Sequence, residues 1–190
     1  MSNYLTTWFK GRREMFETHL AKFKGAKQLR FLEIGCWEGM ATNWMCEQFP
    51  QAIVEVIDTF GGNPEHIEKD KYDLKNLRAR FDENTKKHES QIVVMVGKSN
   101  EVLRSLWVNN YDFIYVDGSH AAYDVIYDAE LSWHLLKKGG ILAFDDYSWR
   151  QDNPETETPK IAIDAFLRIF AGKYTLLYKK GYVIIEKMVE

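Results

Sequence analysis

Cysteine and proline are scarce in this chain, with two and four among 190 residues. Cys36 and Cys46 match neither a zinc-ligand spacing nor a CxxC redox pair, which excludes a thiol metal centre and a disulfide-dense scaffold. No collagen-like repeat and no low-complexity tract is present. No apolar run approaches the roughly 20 residues of a membrane span, and the first residues, MSNYLTTWFKGRRE, lack the apolar core of a secretory leader. A surplus of one charge is missing too: 25 basic against 28 acidic residues give a net charge of −3. That balance argues against nucleic acid or a membrane surface as a partner. Few thiols and no leader make a reducing, cytoplasmic compartment the expected one.

What is present is an ordinary globular composition, 45% hydrophobic and 28% charged, at a length that fits one domain. Residues 1–27 read as an N-terminal helical segment and 28–190 as the core. Short apolar runs at 29–34, 53–58, 91–96, 111–117 and 141–145 read as strands. They alternate with helical stretches at 39–49, roughly 66–88, 99–107, 121–137 and 160–171. Gly139–Gly140 is the expected stop of the fourth of these. Such alternation predicts an α/β fold, a parallel sheet with helices on both faces. YTLLYK and GYVIIEK, joined by almost nothing, must form an antiparallel hairpin at the end. An apolar stripe from Leu5 to Phe23 predicts that the N-terminal segment packs on the domain, with cover for the site or contact with a second subunit, a homodimer, as the other roles open to it.

In open α/β sheets, ligands bind beyond the carboxyl ends of the strands. The first strand ends in Glu33-Ile34-Gly35, followed by Cys36-Trp37-Glu38-Gly39, and the second ends in Asp58, 19 residues after Gly39. Glycines permit the tight turn, and an acidic residue at that distance is placed for ribose hydroxyls. A dinucleotide fingerprint aligned on Gly35 fails at Trp37 and Met40, and no phosphate-binding GxxxxGK[ST] exists. The string EIGCWEG resembles instead the glycine-rich motif of class I S-adenosylmethionine-dependent methyltransferases, and the resemblance extends over residues 29–187. It implies a Rossmann-like sheet of seven strands, mostly parallel, closed by the C-terminal antiparallel hairpin. It further implies that Gly35 and Gly39 cradle the methionine part of S-adenosyl-L-methionine beside Trp37, with Glu33 organising the turn. Asp58 would hold the ribose, Thr59 and Phe60 would lie by the sugar and adenine, and Gly97 and Ser99 would border the adenine. For Ser99 a helix N-cap is the alternative.

A second constellation follows strands four and five: Asp117-Gly118-Ser119-His120 and Asp145-Asp146-Tyr147. Neighbouring strands lie ~4.8 Å apart, so these carboxylates crowd. One must take a proton unless a cation sits among them, and a hard divalent ion with oxygen ligands is one solution. The pattern is similar to metal-assisted small-molecule O-methyltransferases acting on sugars and catechols. That likeness implies Asp117, Asp145 and Asp146 as Mg2+ ligands, although the catechol type has Asp-Asn where Asp145-Asp146 stands. The alternative is that Asp117 faces the cofactor while the pair caps a loop. Imidazole, with an ordinary pKa near 6.5, suits His120 to the role of general base, acting with Asp117 in catalysis. The other reading of His120 is a helix-start residue. Tyr147 and Trp149 either wall an acceptor pocket or anchor their loop. The expected activity is methyl transfer to a hydroxyl of a small molecule. A metal-independent N-methyltransferase and a non-catalytic nucleoside-binding module are the alternatives.

Overall fold

The computed structural model describes residues 4–63 and 72–189. Seven strands form one sheet: β1 (Arg30–Ile34), β2 (Ile53–Asp58), β3 (Ile92–Val96), β4 (Tyr111–Val116), β5 (Leu136–Phe144), β6 (Tyr174–Lys179) and β7 (Val183–Lys187). Their order is β3-β2-β1-β4-β5-β7-β6. The first five run parallel, and β7 is antiparallel to both β5 and β6. The C-terminal hairpin is therefore where the sequence places it, and β7 inserts between β5 and β6.

Period-two alternation divides the sheet between two cores. Phe31, Val54, Val56, Phe113, Tyr115 and Ala143 face one side. Leu32, Ile34, Ile114, Val116, Leu142 and Phe144 face the other. The first side is covered by α1 (Arg13–His19), α2 (Met40–Gln48) and α3 (Leu77–Thr85) through Phe16, Trp44 and Phe81. The second is covered by α5 (Ala122–Leu135) and α6 (Pro159–Ile169) through Ala129, Trp133, Ile163 and Phe166. The four-residue α4 (Ser99–Val102) follows β3. Pro159 opens α6, where its missing N–H costs no helical bond.

The N-terminal stretch breaks into a 3-10 turn at Trp8–Arg12, α1, and a second turn at Ala21–Phe23. It packs on the domain as expected. The Phe16 ring meets Phe113, Tyr115 and Trp44 edge-on, with centroids 5.3, 4.9 and 5.8 Å away. Such edge-to-face pairs add to the area they bury. The charged helix expected over 66–88 is realised as α3 and a 3-10 stretch to Gln91; its first part falls on residues 64–71, outside the described ones.

One boundary is corrected. The helix expected to run to residue 137 and stop at Gly139–Gly140 ends at Leu135. Leu136 is fully buried and already paired with Tyr111 in β5. The register then jumps to Phe113↔Ile141, so residues 137–140 bulge out of the ladder. The cause is tertiary: burial of Leu136 and the bond from Lys137 Nζ to Asp112, 2.9 Å, commit the chain to the sheet before the glycines arrive.

The strand order reverses between β1 and β4, the topological switch point where ligand crevices form in such sheets. Ile34, Val116 and Phe144 stand side by side in register there. The residues just after them, Gly35, Asp117 and Asp145, therefore share one rim.

Candidate active site

The turn after β1 presses on the end of β4. The Gly35 N–H donates to the Ile57 carbonyl at 2.8 Å, and its φ is +85°. A Cβ at Gly35 would stand 2.2 Å from the Asp117 carbonyl oxygen, so only glycine fits. Asp58 fastens the turn. Its Oδ2 accepts the N–H groups of Cys36 and Trp37 at 2.9 and 3.0 Å, and its Oδ1 accepts that of Phe60 at 2.6 Å. Trp37 and Phe60 take positive φ, +48° and +53°, to make these bonds. The Cys36 thiol is hydrogen-bonded to the same carboxylate, so Asp58 ties both turns to the rim. Gly97 donates its N–H to the Asp58 carbonyl at 3.1 Å and so closes the same rim.

Other residues of the first motif point elsewhere. Thr59 is exposed and accepts the Gly61 N–H. Phe60 is buried, with its ring 5.5 Å from Phe81 and the Arg78 guanidinium 5.2 Å from its centroid. The Ser99 side chain hydrogen-bonds Asp128, whose carboxyl burial pushes up to about 7.

Glu33 is buried and accepts the Thr42 hydroxyl at 2.5 Å. Burial pushes its carboxyl from 4.5 up to about 8, the Thr42 bond opposing and the charge of Asp58 adding. A carboxyl whose folded pKa is raised favours the folded state fully below its unfolded pKa and loses that contribution as pH climbs toward the folded value. Stability should therefore fall from about pH 5 to about pH 8, by at most ~1.4 kcal/mol per pH unit from this group. Glu33→Gln should flatten that part of the profile. Urea midpoints at pH 5 and pH 7.5 test it, and equal slopes in both proteins would exclude Glu33 as the cause.

Residues 4–9 lie across the glycine-rich turn. The buried Glu38 accepts the N–H groups of Leu5 and Thr6 at 2.9 and 3.1 Å and Nε of Arg80 at 2.9 Å. The Trp8 ring rests against Trp37 and Tyr72, 5.3 and 5.6 Å between centroids. A cleft opens beneath, lined by Tyr4, Trp8, Glu33, Gly35, Trp37 and Asp117. The aromatic faces of Trp8 and Trp37 suit a cationic ligand such as a sulfonium.

Asp117 also lines a second cleft with Ser119, His120, Val125, Asp145 and Asp146. Burial first, then the neighbouring Asp145 and Asp146, push the Asp117 carboxyl well above the usual range, while a bond from Tyr115 opposes. Asp146 sits at φ +54°, a conformation aspartate tolerates better than most residues. Its Oδ2 is 2.9 Å from His120 Nε2. The Trp149 ring lies on the imidazole, 4.1 Å between centroids. Tyr147 instead anchors its loop: it is buried and donates to Asp164 at 2.9 Å.

Asp117, Asp145 and Asp146, the three carboxylates expected around a Mg2+ ion, line one cleft. The structure brings them together, but Arg12 enters the cluster. Its Nε donates to both oxygens of Asp145 at 2.8 and 2.9 Å, and Nη2 lies 2.6 Å from Oδ1. The Asp146 N–H bonds the same Oδ1 at 2.7 Å, and the Tyr115 hydroxyl donates to Oδ2. Asp145 keeps no lone pair for a metal. Among the described residues no group of three or more His, Cys, Asp or Glu is disposed to hold one. Asp145 and Asp146 thus have partners of their own, an arginine and a histidine.

Arg12, Tyr115, Glu38 and Tyr4 had no site role in the sequence reading, whereas Trp8 lies in the apolar stripe for which cover of the site was one role. Arg12 lies 133 residues from its partner, a separation with no local signature. Glu38 alone carried a hint, as an acidic residue inside the glycine-rich string.

Comparison with known proteins identifies the family of the chain. The family described as a methyltransferase domain matches residues 32–147, more than half of the chain. Among curated relatives, the chain is 27% identical over 151 residues to an uncharacterized protein of Acanthamoeba polyphaga mimivirus, covering 77% of this chain and 63% of that one. It is 28% identical over 139 residues to a probable caffeoyl-CoA O-methyltransferase of Dictyostelium discoideum, covering 72% of this chain and 50% of that one. The matches thus span only about half to two thirds of those relatives. Among solved structures, MycE methyltransferase from the mycinamycin biosynthetic pathway, in complex with Mg and SAH, superposes with a TM-score of 0.66 at 17% identity, over 99% of this chain and 52% of that one. The O-methyltransferase TomG from Streptomyces achromogenes, in complex with SAM, gives 0.66 at 14%, over 92% and 80%. At these identities the structural likeness is one of fold. No helix of the described residues is long and apolar enough to cross a membrane.

Proposed function

Because the chain belongs to the methyltransferase domain family, we propose that it transfers the methyl group of S-adenosyl-L-methionine to a hydroxyl of a small molecule. The observation that carries this reading is the position of Asp117, which lines both clefts at the switch point. A donor bound under the N-terminal strap and an acceptor bound beside His120 would meet there.

In this reading the donor cleft is formed by Glu33, Gly35, Trp37 and Asp117, with Gly39 fixing the start of α2. Asp58 holds the ribose and Gly97 borders the adenine end, while the side chains of Thr59, Phe60 and Ser99 act only through the loops that they fasten. S-adenosylmethionine supplies an already activated methyl on a sulfonium, so the protein's task is alignment and proton removal. His120 carries out the second. Its imidazole, oriented by the contact between Nε2 and Asp146, takes the proton from the acceptor hydroxyl as that oxygen attacks. Asp146 fixes the tautomer and stabilises the imidazolium that forms, the base-and-orienter relation seen wherever a histidine must be aimed. Trp149 holds the ring from one face.

Calorimetric titration with S-adenosylmethionine tests the reading. Binding at micromolar strength is expected, weakened by roughly tenfold or more in Asp58→Ala, which loses the hydroxyl acceptor and three loop-fastening bonds. Absence of binding by the wild-type chain would remove the proposal. Release of S-adenosylhomocysteine over a panel of catechols and sugars then identifies the acceptor class. Turnover confined to amines would replace the hydroxyl reading with N-methylation.

A further inference from the structure

The acidic cluster at the ends of β4 and β5 already contains a cation, and it is supplied by the chain itself. Arg12 reaches Asp145 from the N-terminal segment with contacts of 2.6 to 2.9 Å, and its Nη2 stands 3.9 Å from Asp146 Oδ1. The guanidinium is held from another side by Tyr182, between β6 and β7, with its ring centroid 5.2 Å away. Asp145 is only 8% exposed, and the Arg12 side chain that covers it is 26% exposed. A hard divalent ion needs several oxygens turned inward with free lone pairs. Here the oxygens of Asp145 are taken by Arg12, Tyr115 and the Asp146 N–H, while Asp146 gives its Oδ2 to His120.

We propose that the Arg12 guanidinium stands permanently where a divalent cation would otherwise neutralise this cluster, making the protein's methyl transfer metal-independent. Arg12 is then a positioning residue. It fixes Asp145, whose Oδ1 takes the Asp146 N–H at 2.7 Å, and so sets the carboxylate that aims His120. An arginine is suited to this because its charge is permanent and its planar fork grips a carboxylate at two points. The inference rests on the methyltransferase reading above for its functional meaning, but its physical content can be measured without substrate.

The test is Mn2+ titration of chelator-stripped protein, read by loss of the free-ion EPR signal, for the wild type, Arg12→Ala and Arg12→Lys. The wild type should take up no stoichiometric Mn2+. Removing the guanidinium leaves crowded carboxylates without a counter-charge, so Arg12→Ala should bind one Mn2+ per chain about tenfold or more tightly than the wild type. Arg12→Lys, which restores a positive charge, should return toward wild-type behaviour. A purely structural role for Arg12 would not move metal affinity in this pattern. Stoichiometric Mn2+ binding by the wild type overturns the inference, whether or not Arg12→Ala folds. A folded Arg12→Ala that binds no Mn2+ also overturns it. S-adenosylmethionine titration of the same samples separates the two levels: cofactor binding together with wild-type Mn2+ uptake sinks only the role of Arg12, whereas absent cofactor binding sinks the methyltransferase reading.

Discussion

Replacing His120 by alanine is expected to lower kcat by about 10²–10⁴-fold, the usual range for a lost general base, while leaving S-adenosylmethionine affinity unchanged. The split follows from the site's layout. His120 lines the cleft with Asp145 and Asp146, whereas the cleft under the strap is formed by Tyr4, Trp8, Gly35 and Trp37. Asp146→Asn should cost less than His120→Ala, because it weakens the aim of the imidazole at 2.9 Å without removing it. The measurement is steady-state release of S-adenosylhomocysteine with the best acceptor of the panel, alongside calorimetry for the cofactor. Turnover within twofold of wild type in His120→Ala would sink the base assignment. A parallel loss of cofactor binding would instead make His120 a structural element of the rim.

Gly35→Ala is expected to be the most disruptive single methyl in the chain, costing roughly 2–5 kcal/mol of stability and abolishing cofactor binding. Left-handed backbone costs a non-glycine residue about 1–2 kcal/mol, and overpacking adds ~1–3 kcal/mol. What decides the size is the identity of the obstacle. The new Cβ at Gly35 would meet backbone, the Asp117 carbonyl oxygen at 2.2 Å and the Gly118 Cα at 2.6 Å. Relief requires β1 and β4 to separate at the rim where both clefts meet. Gly39 offers a control. Its φ is +80°, but a Cβ there would meet side chains rather than backbone, Thr85 Cγ2 at 2.5 Å and the Phe81 ring at 3.0 Å. Gly35→Ala should therefore be the more destabilised of the two in urea unfolding. An equal loss in both variants would show that backbone conformation, not the collision, sets the cost.

The alternation of short apolar strands with amphipathic helices determined the fold before any tertiary contact was known, because strand and helix periodicities are local properties. The count of seven strands needed more, and it came through the likeness of EIGCWEG and its companions to a known family, while their order is seen only in the folded sheet. Local chemistry also placed Gly35, Asp58, Asp117 and His120 on one rim, since every carboxyl end of a parallel sheet opens to the same side. Contacts between residues distant in the chain decided the rest. Leu136 turned the end of α5 into strand because its burial against Tyr111 outweighed the stop signal of two glycines. Asp58 became the clasp of two loops because two turns brought three N–H groups to it. The sequence showed correctly that Asp117, Asp145 and Asp146 crowd together and require a positive charge or a proton. That the charge on Asp145 is a guanidinium from residue 12 was beyond its reach, because no periodicity or spacing connects residues 133 positions apart, and only the folded sheet sets the N-terminal segment over the ends of β4 and β5.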